Sequence, residues 1–156
     1  EFAEIQTLFN TDWVWAEPAR FAARAIVENG ESAFIYNFGY VPDSMQARMP
    51  YGPGHGSEVA FVFNTLNARW GNPTTTPEEE QLARIMNTYW ANFAKTGNPN
   101  GKGVPVWPLY DTQKDEILDV ELDGKVVAKP DPRKARFNVI EKAFFKKRDK
   151  IQSRGI

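Results

Sequence analysis

The sequence predicts an α/β domain, and three observations carry that expectation. A helical segment leads directly into a strand that is apolar on both faces. A long amphipathic helix with explicit start and stop signals fills the middle. A short hairpin then feeds a final helix.

Residues 18–29 read as the first helix: Pro18 suits a first helical turn, Phe21, Ala22, Ala25 and Ile26 form a stripe, and Asn29-Gly30 ends it. Residues 33–40 follow as a strand, with Phe34, Ile35, Tyr36 and Phe38 spread over both alternating faces, the pattern of a strand covered on both sides. Residues 43–56 are rich in proline and glycine without periodicity, so they read as a loop leaving the end of that strand. The next helix opens at Thr76-Pro77-Glu78-Glu79, where threonine caps, proline takes the first turn and Glu79 completes a capping box. Its apolar face is expected to run from Leu82 through Met86 and Tyr89 to Phe93 and Ala94, with Gly97 as the stop; such a stripe is core far more often than a ligand surface. Residues 117–122 and 125–128 flank Asp123-Gly124 as a hairpin. A last helix from about Asp131 is expected to bury Phe137, Ile140, Phe144 and Ile151. There is no internal repeat, low-complexity tract or domain boundary, so 1–156 reads as a single unit, with Glu1-Phe2 either native chain or a cloning remnant.

Composition excludes several classes of function. With 156 residues and 42% apolar content, one core is within reach, burying roughly two thirds of the unfolded surface. A net charge of -1 gives no overall attraction to nucleic acid or an anionic membrane. No apolar run approaches the roughly 18 residues of a membrane span. One histidine and no cysteine leave only carboxylates for a metal, and no glycine-rich phosphate loop follows a strand, so no cofactor is expected. Cellular localisation stays open.

The single histidine, His55, stands in Gly-Pro-Gly-His-Gly-Ser-Glu ahead of Val59-Ala60-Phe61-Val62-Phe63. Imidazole titrates near pH 6.5, so a loop aiming it at a substrate supplies first a base and then an acid at neutral pH. A loop histidine taken alone is more often solvated than catalytic, and its context has to decide.

That context resembles a known family. Gly54-His55-Gly56-Ser57-Glu58 running into Phe61-Val62-Phe63 is similar to the histidine segment of type-B carboxylesterases and cholinesterases, His-Gly-x-Glu, two residues, Phe-Val-Phe. Thr11-Asp12, Pro18 and Phe34-Ile35-Tyr36-Asn37-Phe38 upstream, and Trp90 to Asn100 and Trp107-Pro108-Leu109-Tyr110 downstream, resemble the same family in the same order, from about Thr11 to Phe145. The resemblance implies the C-terminal part of an α/β-hydrolase fold: late sheet strands, covering helices and the catalytic-histidine loop. It implies a serine carboxylesterase in which His55 takes the serine hydroxyl proton, while serine, acid and oxyanion hole precede Glu1. Gly54, Gly56 and Glu58 are expected to support the loop, Glu58 through pairing with a basic group. The implied partners are a small ester substrate and the N-terminal portion of the same protein, and the chain alone is expected to be inactive and prone to self-association through an exposed strand edge. Cholinesterases usually carry an aromatic residue where Ser57 stands, which implies a broad esterase more than a choline-ester specialist.

Competing features have blander readings. Gly30-Glu31-Ser32-Ala33 resembles the family's nucleophile elbow, but the elbow needs strand, turn, helix, and here a helix precedes and a strand follows. Ser32 is therefore expected to be a turn residue, and Asp43 is weighed and set aside as an orienting acid for His55. From residue 131 onward, nine Lys/Arg face three acids, which reads as a solvated helix face before it reads as a binding module for nucleic acid or membrane. The alternative within the family is a non-catalytic adhesion member.

Overall fold

The computed structural model describes residues 2–66 and 75–152, with side chains described through Arg148. The chain divides into two compact units, one gathering Glu1–Ile35, Leu109–Glu116 and Pro130–Ile156, the other Tyr36–Pro108 and Ile117–Lys129.

In the first unit, α1 (Phe2–Asn10), a π-helical turn (Thr11–Ala16) and α2 (Glu17–Glu28) follow one another with helical backbone angles at both junctions. Sequence reading begins this helix at Pro18. A proline inside a continuous helix lacks the N–H that would bond four residues back and crowds that carbonyl, and a widened π turn just ahead of it relieves the conflict. The far end is as expected: Asn29 caps through its backbone N–H and Gly30 takes a left-handed φ of 87°.

The buried side of α2 differs from the expected stripe. Phe21 and Ile26 are 47% and 44% exposed, while Glu17, Arg20 and Ala23 are buried. The reason lies in the helix that α2 meets, α5 (Lys134–Gln152). Arg20 Nη2 donates to Asn138 Oδ1 at 2.7 Å and to Glu141 Oε2 at 3.3 Å, and Arg24 Nη1 reaches Glu141 Oε2 at 2.8 Å. A buried guanidinium is tolerable where its charge is matched, so a polar face can turn inward. Asp12, also buried, accepts from Arg136 Nε at 2.7 Å.

Ala23, Ala33 and Tyr110 form a small core with Val27 and Ile35 against it. The Tyr110 hydroxyl donates to the buried Asp115 carboxylate, which also pairs with Lys134 at 3.2 Å. Burial and that carboxylate push the Tyr110 phenol above its ordinary range. In α5, Phe137 is 1% and Ile140 8% exposed, as expected; Phe137 lies beneath the guanidinium groups of Arg20 and Arg133. Phe144 departs from expectation at 37% exposed, stacked on Trp13 at 4.4 Å, and Ile151 lies outside the described side chains.

The second unit is built on a three-stranded sheet ordered β1 (Tyr36–Phe38), β2 (Glu116–Val120), β3 (Val126–Pro130). β1 pairs parallel with β2, setting Tyr36 opposite Leu118 and Phe38 opposite Val120; β2 and β3 form the expected hairpin around Asp123-Gly124. β1 is shorter than the expected 33–40 and only half buried, because it is the sheet's edge. At its end the Gly39 N–H reaches Val120 O at 2.7 Å, so close that a Cβ on residue 39 would stand 3.0 Å from that oxygen. Lys129 closes the sheet's polar end, pairing with Asp119 and Glu121 at 2.6 Å each.

α4 (Pro77–Thr96) follows its local signals closely. Thr76 and Glu79 exchange both capping-box hydrogen bonds, at 3.2 and 3.1 Å, and Gly97 ends the helix at φ 74°. Leu82, Ala83, Met86 and Tyr89 are buried, but Phe93 is 50% exposed and Ala94 is exposed, so the buried stripe ends at Tyr89, short of the helix end at Thr96. The short α3 (Val59–Val62) packs against α4.

Two outcomes test this account. Thr76→Ala should cost about 1 kcal/mol in urea unfolding, the usual worth of an N-cap. Glu17 carries the second test. Burial first, then the charge of Glu141, raise its pKa from 4.5 against the lowering pull of Arg20 and Arg24. The folded chain therefore keeps a proton that the unfolded chain releases as pH climbs above 4.5, so this group's contribution falls with rising pH. As pH rises from 4.5 through the raised pKa of Glu17, urea midpoints of the wild type should decline relative to those of Glu17→Gln.

Candidate functional site

The histidine lies in the second unit, in a turn whose two sides are tied differently. On the entering side, residues 43–56 form a 3-10 turn at Asp43–Met45 and further turns, as the proline and glycine content predicts. Met49 is fixed within them: its N–H donates to Met45 O at 3.0 Å and its carbonyl accepts from Gly52 at 3.2 Å. On the leaving side, the Ser57 N–H donates to Gly54 O at 3.0 Å and the Val59 N–H to Gly56 O at 3.3 Å, which winds the chain directly into α3. Gly56 sits at φ 73°, left-handed backbone that costs a residue with a Cβ roughly 1–2 kcal/mol.

Each expected residue has a clear position. Gly54 and His55 are exposed, Gly56 and Glu58 are half-buried, and Ser57 is 4% exposed. The imidazole thus stands at the outer edge of a turn whose next residues run inward. Ala60 and Phe61 are fully buried and Val62 nearly so. Phe61 lies 5.3 Å from Phe38 of β1 and 5.7 Å from Tyr40, and Asn87 of α4 donates to Val62 O at 2.8 Å. The loop is therefore moored to both the strand before it and the long helix after it.

Glu58 accepts at its carbonyl from Phe61 and Val62, at 2.9 Å each. Its carboxylate makes no ion pair among the described residues. Its charge acts on Tyr36, whose phenol burial first and Glu58 second push up to about 12. Asp43 is exposed and accepts from Gln46 Nε2 at 2.8 Å. Ser32 is exposed between α2 and β1, so helix precedes serine and strand follows, the reverse of a nucleophile elbow.

Sequence reading missed Met49. Its Sδ accepts from the buried Ser57 Oγ at 3.9 Å, and no local pattern joins two residues eight apart in a loop. Phe61 had a usable signal, an aromatic residue at the centre of an apolar run.

Comparison with known proteins agrees with this architecture. Residues 3–139 match the carboxylesterase family. Human cocaine esterase is 44% identical over 96 residues, covering 60% of this chain and 17% of that protein. Cat carboxylesterase 5A is 34% identical over 131 residues, 81% of this chain and 24% of that one. A crystal structure of a Geobacillus stearothermophilus carboxylesterase superposes with a TM-score of 0.60 at 27% identity, covering 76% of this chain and 24% of that chain. The chain spans about a fifth of the length of the curated relatives it matches. Its helices and mixed sheet are part of an α/β-hydrolase fold. With its family-matched segment covering nearly all of its described length, the chain belongs to the carboxylesterase family.

Proposed function

We propose that this chain is the C-terminal portion of a serine carboxylesterase and that His55 is its general base and acid. The observation that carries the reading is an exposed imidazole on a turn moored at both ends, in a chain of this family. In the complete protein, His55 takes the hydroxyl proton of a serine as that serine attacks an ester carbonyl. It then gives the proton to the departing alcohol, and repeats both transfers with water to release the acid. Serine, acid and oxyanion hole come from the N-terminal portion of the same protein.

The loop's supports have separate tasks. Gly54 and Gly56 keep side-chain bulk away from both flanks of the imidazole, and Gly56 supplies the left-handed turn. Glu58 begins the helix that carries Phe61 into the core. The substrate is a small carboxylic ester. Exposed apolar residues along α1 and the π turn, Phe2 at 80%, Phe9 at 57% and Trp15 at 60%, suit a surface that further polypeptide covers.

In the complete enzyme, His55→Ala should remove nearly all hydrolysis of a short p-nitrophenyl ester, by about 10³-fold or more, as loss of a triad member does. Unchanged turnover in that variant would refute the assignment. The isolated chain should show no hydrolysis above the buffer rate and should scatter light as more than one chain per particle; a strictly monomeric solution would count against covered faces on α1.

A further inference from the structure

Ser57 has a hydroxyl in an unusual setting. The residue is 4% exposed, yet its Oγ donates to a thioether, Met49 Sδ, at 3.9 Å. Buried hydroxyls ordinarily meet oxygen or nitrogen, and sulfur is a weak acceptor. A contact of this kind adds little to folding, since replacing both partners by apolar groups of similar shape is close to neutral.

Its value is geometric. Met49 belongs to the turn that enters the loop, held by its bonds to Met45 and Gly52. Ser57 belongs to the turn with His55 near its centre, closed by its N–H on Gly54 O at 3.0 Å. The Oγ to Sδ contact joins these two turns, two residues along the chain from the histidine. Gly54 lies beside both partners: a Cβ there would stand 3.8 Å from Met49 Cε and 3.8 Å from Ser57 Oγ. The glycines beside His55 have no side chains with which to hold the backbone. The backbone of the turn that carries His55 is held in part by what Ser57 meets beneath it.

Resting on the reading of His55 as the proton carrier, we propose that Ser57 and Met49 are a positioning pair for that residue. Neither meets the reacting atoms. The hydroxyl and the sulfur fix the separation of the two turns, and with it the reach of the imidazole.

The test is a double-mutant cycle in the complete enzyme, with circular dichroism and melting temperature measured on every variant beside kcat and KM. Ser57→Ala and Met49→Leu should each lower kcat for a p-nitrophenyl ester by about 10- to 100-fold with KM little changed, the scale of a misplacement approaching 1 Å. The double variant should be no worse than the poorer single one, because each change breaks the same link. Met49→Gln, which offers an amide oxygen at similar reach, should recover much of the loss. Wild-type kcat in both single variants, alongside an inactive His55→Ala, would overturn the pair and leave His55 as the base. Losses that add and follow a fall in melting temperature would also overturn it, assigning the contact to folding alone. An active His55→Ala would instead remove the reading beneath it.

Discussion

The burial of Phe61 is the constraint from which the geometry of the histidine turn follows. The ring is fully buried, set against Phe38 of β1 and Tyr40 just beyond it. Removing a phenylalanine from such a site costs about 3–5 kcal/mol, so the helix carrying it has one depth at which it can sit. Five residues separate Phe61 from His55, and the backbone between them is hydrogen-bonded through the N–H groups of Ser57 and Val59 and the carbonyl of Glu58. Depth fixed at one end becomes height fixed at the other. An exposed side chain can be well placed without being packed when the next residues are anchored in this way.

The first unit solves a different problem with charge. Arg20 is 3% exposed and Glu17 likewise, a costly arrangement for ions unless they are matched. Glu141 meets both Arg20 and Arg24, and Asn138 takes a further bond from Arg20, yet Arg20 Nε and Glu17 Oε1 have no hydrogen-bond partner among the described residues. The network binds one register of α2 on α5, because a one-residue slip would leave a guanidinium buried without its carboxylate. It gives specificity of pairing more than raw stability, and Glu17, with a raised pKa, is where the strain appears.

What the sequence reveals follows the range of the interaction. The capping box of Thr76 and Glu79 and the stop at Gly97 are settled within a few residues, so they can be read directly and hold in the structure. The identity of His55 as the candidate is legible for the same reason, since its glycine-flanked motif is contiguous. The inward face of α2 is not legible, because Arg20 turns inward only to meet Glu141, 121 residues later. The apolar stripe through Phe21 and Ile26 obeys helical periodicity, but periodicity says which residues share a face and not what that face meets. The length of β1 is hidden likewise, for its pairing depends on a strand some 80 residues away.

The distribution of titrating groups bears on how the histidine turn can respond to pH. Tyr36, Tyr40 and Tyr89 are all held near 12, chiefly by burial, so each remains a neutral O–H donor throughout the physiological range. Tyr36 is the nearest of these to Glu58 electrostatically, and a negative charge beside a phenol that cannot ionise adds a fixed field and no second proton exchanger. Imidazole is the one side chain whose ordinary range lies between pH 5 and 8, and this chain has a single copy. Burial thus keeps Tyr36, Tyr40 and Tyr89 protonated well beyond neutral pH, while the one histidine of the sequence stands exposed at position 55.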